Sequence, residues 1–149
     1  MAKFNYKMQN ILNIKYNLET QAKSEYAQAN EELRQEELKL DAIRADINRY
    51  QDEIRSMREG SVNITELRRC SQAIEIKKEQ AKSQAVQIKN AQIKVDKTRK
   101  KLSDVMVDRK THEKLREKAF GEFLSELDDS EKKEIDELVS FRFKNEDDN

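Results

Sequence analysis

Residues 59 to 66 read Glu59-Gly60-Ser61-Val62-Asn63-Ile64-Thr65-Glu66, a short stretch set between two long apolar periodicities. Gly60, one of only two glycines in the chain, suits the left-handed position just past a helix end. Asn63 fits the cap of a following helix, with Glu66 three residues later reaching back as in a capping box. The reading is a helix over about 4–59, a turn over about 60–63 and a second helix from about 64 to 127. A connection this short forces the two helices to lie antiparallel, side by side.

Before the turn, two interleaved sevens run along the chain. One is Tyr26, Leu33, Leu40, Ile47, Ile54; the other is Ala22, Ala29, Glu36, Ile43, Tyr50, Met57. Together they step by three and four, the a/d seam of a coiled coil, with Glu36 as its polar intruder. Upstream the stripe is expected to continue through Phe4, Met8, Ile11 and Leu18. It then slips register between Leu18, Ala22 and Tyr26, as in a stutter. After the turn a strict seven reads Leu67, Ile74, Ala81, Ile88, Val95, Leu102, with weaker companions expected at Ser71, Lys78, Ala85, Gln92, Arg99 and Met106. In the same phase the helix continues through Arg109, Arg116 and Phe123. Facing residues should have numbers adding to about 121, which places Ile47 near Ile74 and Phe4 near Arg116. At 1.5 Å per residue the first helix is roughly 80 Å long. About thirty residues of the second strand then have no partner in the hairpin, an extension of up to about 45 Å if helical.

That extension is apolar on one face, with Ala119, Phe120, Phe123, Leu124 and Leu127. After Asp128-Asp129-Ser130 a helical piece over about 130–143 carries Ile135, Leu138, Val139, Phe141 and Phe143. An isolated helix of this length is marginal in water, and an apolar stripe without an internal partner marks an interaction surface. The alternatives are a fold-back at Asp128 to Ser130 or pairing with a second copy. The fold class is therefore all-α, a long antiparallel two-helix coiled-coil hairpin with an extended C-terminal helix, in one domain spanning 1–149.

Composition agrees. The chain is 40% charged and 36% apolar, with no proline and no tryptophan, the usage of long helices. The regular apolar spacing argues against disorder, which lacks the apolar surface to offset ordering entropy. Net charge is zero but unevenly placed. Residues 64–118 carry 16 basic and 8 acidic side chains, a net of +8; residues 119–149 carry 4 and 11, a net of −7. Such a division points to electrostatic partners at both places. Cys70, alone of its type, allows no internal disulfide. With no leader, no run of about 18 apolar residues and no second cysteine, the expected compartment is the cytoplasm.

The residues offer little to catalysis. His112 is the only histidine, on a charged stretch, and no Gly-rich phosphate loop, nucleophile elbow or Cys/His metal set appears. No cofactor and no metal are expected, and the chain is read as no enzyme. Lys97, Arg99, Lys100, Lys101, Arg109, Lys110, Lys114, Arg116 and Lys118 crowd one stretch. However, Asp104, Asp108, Glu113 and Glu117 are interspersed and no aromatics are interleaved for base stacking. An acidic protein surface suits this stretch better than nucleic acid, and the acidic tail opposes anionic lipid.

The two ends of the chain resemble the flagellar FliJ family. Near the start stand Phe4, Ile11-Leu12, Lys15 and Leu18-Glu19; later come Arg109-Lys110, Glu113-Lys114-Leu115 and Glu117-Lys118. The most specific part is Glu131, Lys133, Asp136-Glu137 and Arg142-Phe143. The resemblance covers essentially the whole chain. It implies an antiparallel coiled-coil hairpin similar to the central stalk of rotary ATPases. It also implies a bacterial flagellum biogenesis and protein-export role, supporting motility. The implied partners are the hexameric flagellar export ATPase, entered by the end holding both termini, the membrane export gate protein and export chaperones. The protein would then lie at the cytoplasmic face of the cell membrane, held peripherally through those partners. Carried onto this chain, ATPase binding falls to Phe4, Met8, Ile11, Arg109, Lys110, Lys114, Arg116, Phe120 and Phe123. Gate binding falls to Cys70, Ile74, Lys77 and Ala81, although the family tends to place an aromatic where Cys70 stands. The competing readings are a structural coiled coil that self-associates through the C-terminal stripe, and a stalk subunit of a rotary ion-pumping ATPase.

Overall fold

The computed structural model describes residues 3–147, apart from the side chains at 128, 132, 135, 143, 146 and 147. Ile135 and Phe143, expected on the tail stripe, and the Asp128 side chain lie outside that description. Two helices account for nearly all of it: α1 (Gln9–Arg58) and α2 (Ile64–Asp147). They pack against each other as an all-α hairpin. Breaker-free sequence lets each run uninterrupted, and α2 passes through 128–130 without a break. By compactness the chain divides into residues 21–103 and a second unit made of residues 1–20 with 104–149.

The turn is built differently from its sequence reading. Asn63 does cap α2: its Oδ1 accepts from Thr65 N at 3.1 Å and Glu66 N at 3.4 Å, while its carbonyl accepts from Leu67 N at 3.0 Å. Glu66, however, does not complete a capping box. Its carboxylate accepts from Arg69 Nη2 at 2.9 Å, drawn by the stronger charge-assisted bond three residues along. Gly60 has no positive φ, so the left-handed cap is absent; α1 instead closes with Glu59 N donating to Ser56 O at 3.3 Å. A Cβ at Gly60 would meet nothing within 4 Å. Gly60→Ala should therefore stabilise the hairpin by about 0.4–1 kcal/mol, through the unfolded chain's lost freedom. A lower melting temperature for this variant would contradict the turn described here.

In the unit formed by residues 21–103, the expected α1 seam is the observed one. Ala22 and Ala29 are buried, and Tyr26, Leu33, Glu36, Leu40, Ile43, Ile47, Tyr50, Ile54 and Met57 are half-buried. On α2 the strict seven also faces inward, with Ile74 and Val95 buried. Its companions do not. Ser71, Lys78, Ala85, Gln92 and Arg99 are exposed, and the second line of the seam is Cys70, Lys77, Gln84, Ala91 and Thr98, three residues after each member of the seven instead of four. The polar members of this line are satisfied in place. Lys77 Nζ pairs with Asp46 at 3.0 Å, and Gln84 Nε2 donates to the Glu36 carbonyl at 2.8 Å and to its carboxylate. Thr98 Oγ1 donates to Lys94 O and Val95 O. Gln84 thereby meets the seam's polar intruder, and its donation holds the Glu36 carboxyl below the usual range. Ion pairs Lys94–Glu32 at 2.8 Å and Lys101–Glu25 at 2.9 Å flank the seam. Their numbers add to more than 121, as expected when two long side chains each lean toward the N-terminus of their own antiparallel helix.

The predicted stutter is also absent. Burial in α1 runs Leu12, Lys15, Glu19, Ala22, Tyr26, Ala29, an unbroken alternation of three and four, while Leu18 is 41% exposed. Glu19, 5% exposed, takes the seam place that apolarity assigned to Leu18.

Candidate functional site

The unit formed by residues 1–20 and 104–149 holds both termini. Residues 3–8 precede α1, which starts at Gln9, with Gln9 N donating to Tyr6 O at 3.1 Å. Phe4 and Tyr6 turn inward and Asn5 and Lys7 outward. Phe4 lies 5.1 Å from the Phe120 ring, edge-on, and 5.3 Å from that of Phe123. The Arg116 guanidinium sits over the Phe4 ring at 5.5 Å and donates to Gln9 Oε1 at 2.9 Å, consistent with the expected meeting of Phe4 and Arg116. Aromatic pairs and a cation over a ring face each add to simple burial, so this cluster closes the N-terminal segment onto α2.

One turn to three turns further in lies a polar network. Arg109 binds Glu19 through both carboxylate oxygens, Nε to Oε2 at 2.6 Å and Nη2 to Oε1 at 3.0 Å, and its Nη1 reaches Glu113 at 2.9 Å. The Tyr16 hydroxyl donates to the other Glu113 oxygen. These bonds hold the Glu113 carboxyl below its usual range, raise the Tyr16 hydroxyl and raise Arg109. Beside it Lys15 pairs with Asp108 at 2.7 Å, which lowers that carboxyl, and His112 approaches the same aspartate at 3.5 Å. The Arg109 and Glu19 side chains are only 16% and 7% exposed. The pair is an internal device, with geometry of the bidentate kind that offsets desolvation.

The residues expected to bind the ATPase thus fall into two sets. Arg109 and Arg116 face inward, and Phe4 and Phe123 are half-buried in the aromatic cluster. Met8 is 52% exposed, Ile11 39% and Phe120 41%, while Lys110 and Lys114 are exposed without an acidic partner among the described residues. Past the cluster α2 continues with Leu124 at 41%, Leu138 at 66% and Phe141 at 65% exposure. The residues expected to bind the gate lie mostly in the seam. Cys70 is wholly buried and donates its thiol to Glu53 at 3.3 Å; burial pushes that thiol up. Ile74 is buried, Lys77 pairs with Asp46 and Ala81 is half-buried.

The sequence assigns no site role to Glu19, Tyr16, Gln9 or Lys15, although Lys15 and Glu19 stand among the residues that carry the family resemblance. The available signal was heptad phase: Glu19 is seven residues after Leu12, and Arg109 seven after Leu102. Among the described residues, no group of carboxylates, histidine and cysteine could hold a metal, and no helix is long and apolar enough to cross a membrane. The geometry offers protein-binding surfaces: an aromatic-closed terminal end, free lysines on its outside and a projecting amphipathic helix.

No curated protein and no solved structure matches the chain. The family model described as flagellar FliJ protein matches residues 4–148, and its span takes in the turn, both helices and the terminal cluster. This chain therefore belongs to the FliJ family and is a component of the flagellar export apparatus.

Proposed function

We propose that the protein is a stalk and adaptor of flagellar export. It binds the hexameric export ATPase through the end that carries both termini and links it to the membrane export gate and export chaperones, at the cytoplasmic face of the membrane. It carries no catalysis of its own; its contribution is to bind the ATPase and alter its turnover. The observation that supports this reading is the projection of α2 beyond the Phe4 cluster, with Leu138 and Phe141 about two-thirds exposed and no part of α1 beside them. A helix exposing such a stripe gains by entering a partner.

ATPase contact is assigned to Met8, Ile11, Lys110, Lys114, Phe120 and the tail, with Phe4, Phe123, Arg109 and Arg116 fixing the shape of that end. Gate contact is assigned to α2 near Lys77 and Ala81, with Cys70 and Ile74 holding the seam beneath. The charge part is tested by Lys110→Glu/Lys114→Glu. The circular-dichroism spectrum should be unchanged. Affinity for the export ATPase, read by titration calorimetry at about 0.15 M salt, should fall about tenfold, since two exposed attractions become repulsions. Unchanged affinity would remove the lysines from the interface.

A further inference from the structure

On the outside of α2, within residues 21–103, a second line steps by four and three: Val86, Asn90, Ile93, Lys97, Lys100. All five are exposed, Val86 at 56% and Ile93 at 44%. Three neighbouring cations are engaged: Lys94 with Glu32, Lys101 with Glu25, Arg99 with Asp96. Lys97 and Lys100 make no ion pair among the described residues. The face is a coiled-coil seam in spacing, with an apolar half and a cationic half.

The chain itself carries a matching strip. On the tail, Glu131, Glu134, Leu138 and Phe141 step by three, four and three and are all exposed. Neither glutamate makes an ion pair among the described residues. Laid antiparallel, Leu138 meets Ile93, Glu134 meets Lys97, Glu131 meets Lys100 and Phe141 meets Asn90, every step matched. The surrounding charge agrees, since residues 64–118 are net +8 and residues 119–149 net −7. The tail cannot reach its own face, because both belong to one uninterrupted helix, Ile64–Asp147. We propose that the tail of a second copy of this chain docks antiparallel on the Ile93–Lys97–Lys100 face. This goes beyond the adaptor reading and does not depend on the ATPase. The contact joins two different surfaces, so it is heterologous. Two exposed ion pairs and a small apolar patch make it weak and salt-sensitive.

The test is sedimentation equilibrium of the full chain at low salt. Weight-average mass should rise with concentration, and added salt should reverse the rise. Lys97→Glu/Lys100→Glu and, separately, Glu131→Lys/Glu134→Lys should each weaken self-association about tenfold. Helicity should be unchanged in both, because all four side chains are exposed. Mixing the two variants should restore association, since the reversed tail of one meets the reversed face of the other. A chain that stays monomeric at its highest soluble concentration overturns the proposal. So does association indifferent to the reversals, or weakened by them but not restored in the mixture; the last would give the lysine face to another occupant.

Discussion

Leu12→Asp should cost on the order of 4 kcal/mol and open the terminal unit selectively. Leu12 is 2% exposed, among the largest fully buried side chains of the described chain. Losing its apolar volume from a tight seam costs about 2–5 kcal/mol by itself. The aspartate then sits as a desolvated charge, or takes up a proton, at further cost. Hydrogen exchange should show protection lost first in residues 9–20 and 104–123, with residues around Ile74 and Val95 retaining theirs. Uniform protection equal to that of the unmodified chain would sink the placement of Leu12 in the seam.

Removing one half of the buried ion pair should be worse than removing both. Arg109→Leu leaves Glu19, whose side chain is 7% exposed, without its guanidinium. The Glu19→Leu/Arg109→Leu double variant puts two apolar side chains opposite each other in the seam in place of the ion pair. Replacing a buried pair by apolar groups is often neutral or better, whereas removing one of its partners is destabilising. The melting temperature should therefore fall markedly in the single variant and recover in the double. The pH dependence gives a second reading. In the unmodified chain, Glu113 and Asp108 titrate below their ordinary values of 4.5 and 3.8. Their stabilisation is present above those values and lost as the pH falls through the lowered ones. A melting temperature of the unmodified chain that does not fall on acidification would contradict these pairings.

Apolar periodicity made the α1 seam from Ala22 to Met57 legible, because every place there except Glu36 is filled by a side chain with its own apolar or aromatic reason for burial. The same criterion could not choose between Ser71, Lys78, Ala85, Gln92 and Cys70, Lys77, Gln84, Ala91 on α2. The two lines are almost equally polar, and the choice is made by partners on the other helix, Asp46 and Glu36 among them. Glu19 is hidden for the same reason: its burial depends on Arg109, ninety residues away, and only its heptad spacing from Leu12 marks it. Asn63 was readable as a cap because capping is local chemistry. Gly60 differs from its expected conformation because a glycine after a helix permits a left-handed residue without requiring one. At the terminal end, the aromatics and the basic stretch were visible as composition. That Arg109 and Arg116 turn inward while Lys110 and Lys114 stay outside follows from helix phase, since both arginines continue the strict seven of α2.

The internal role of Arg109 and Arg116 also changes how loss of binding should be read. A variant of either disturbs the shape of the terminal end before it removes any contact. Lys110 and Lys114 report on contact alone. Likewise Phe120 and Phe123 both pack on Phe4, so a truncation meant to isolate the tail has to begin after them.

The most direct measurement is ATP hydrolysis by the flagellar export ATPase of the same organism, alone, with the full chain, and with a chain lacking residues 124–149 that keeps the Phe4 cluster. The adaptor account predicts that the full chain stimulates turnover, and that the shortened chain, with its remaining helix intact by circular dichroism, stimulates it far less. Unchanged turnover with the full chain, together with no co-elution, would contradict the account and leave a coiled coil of the FliJ family without the ATPase as its partner.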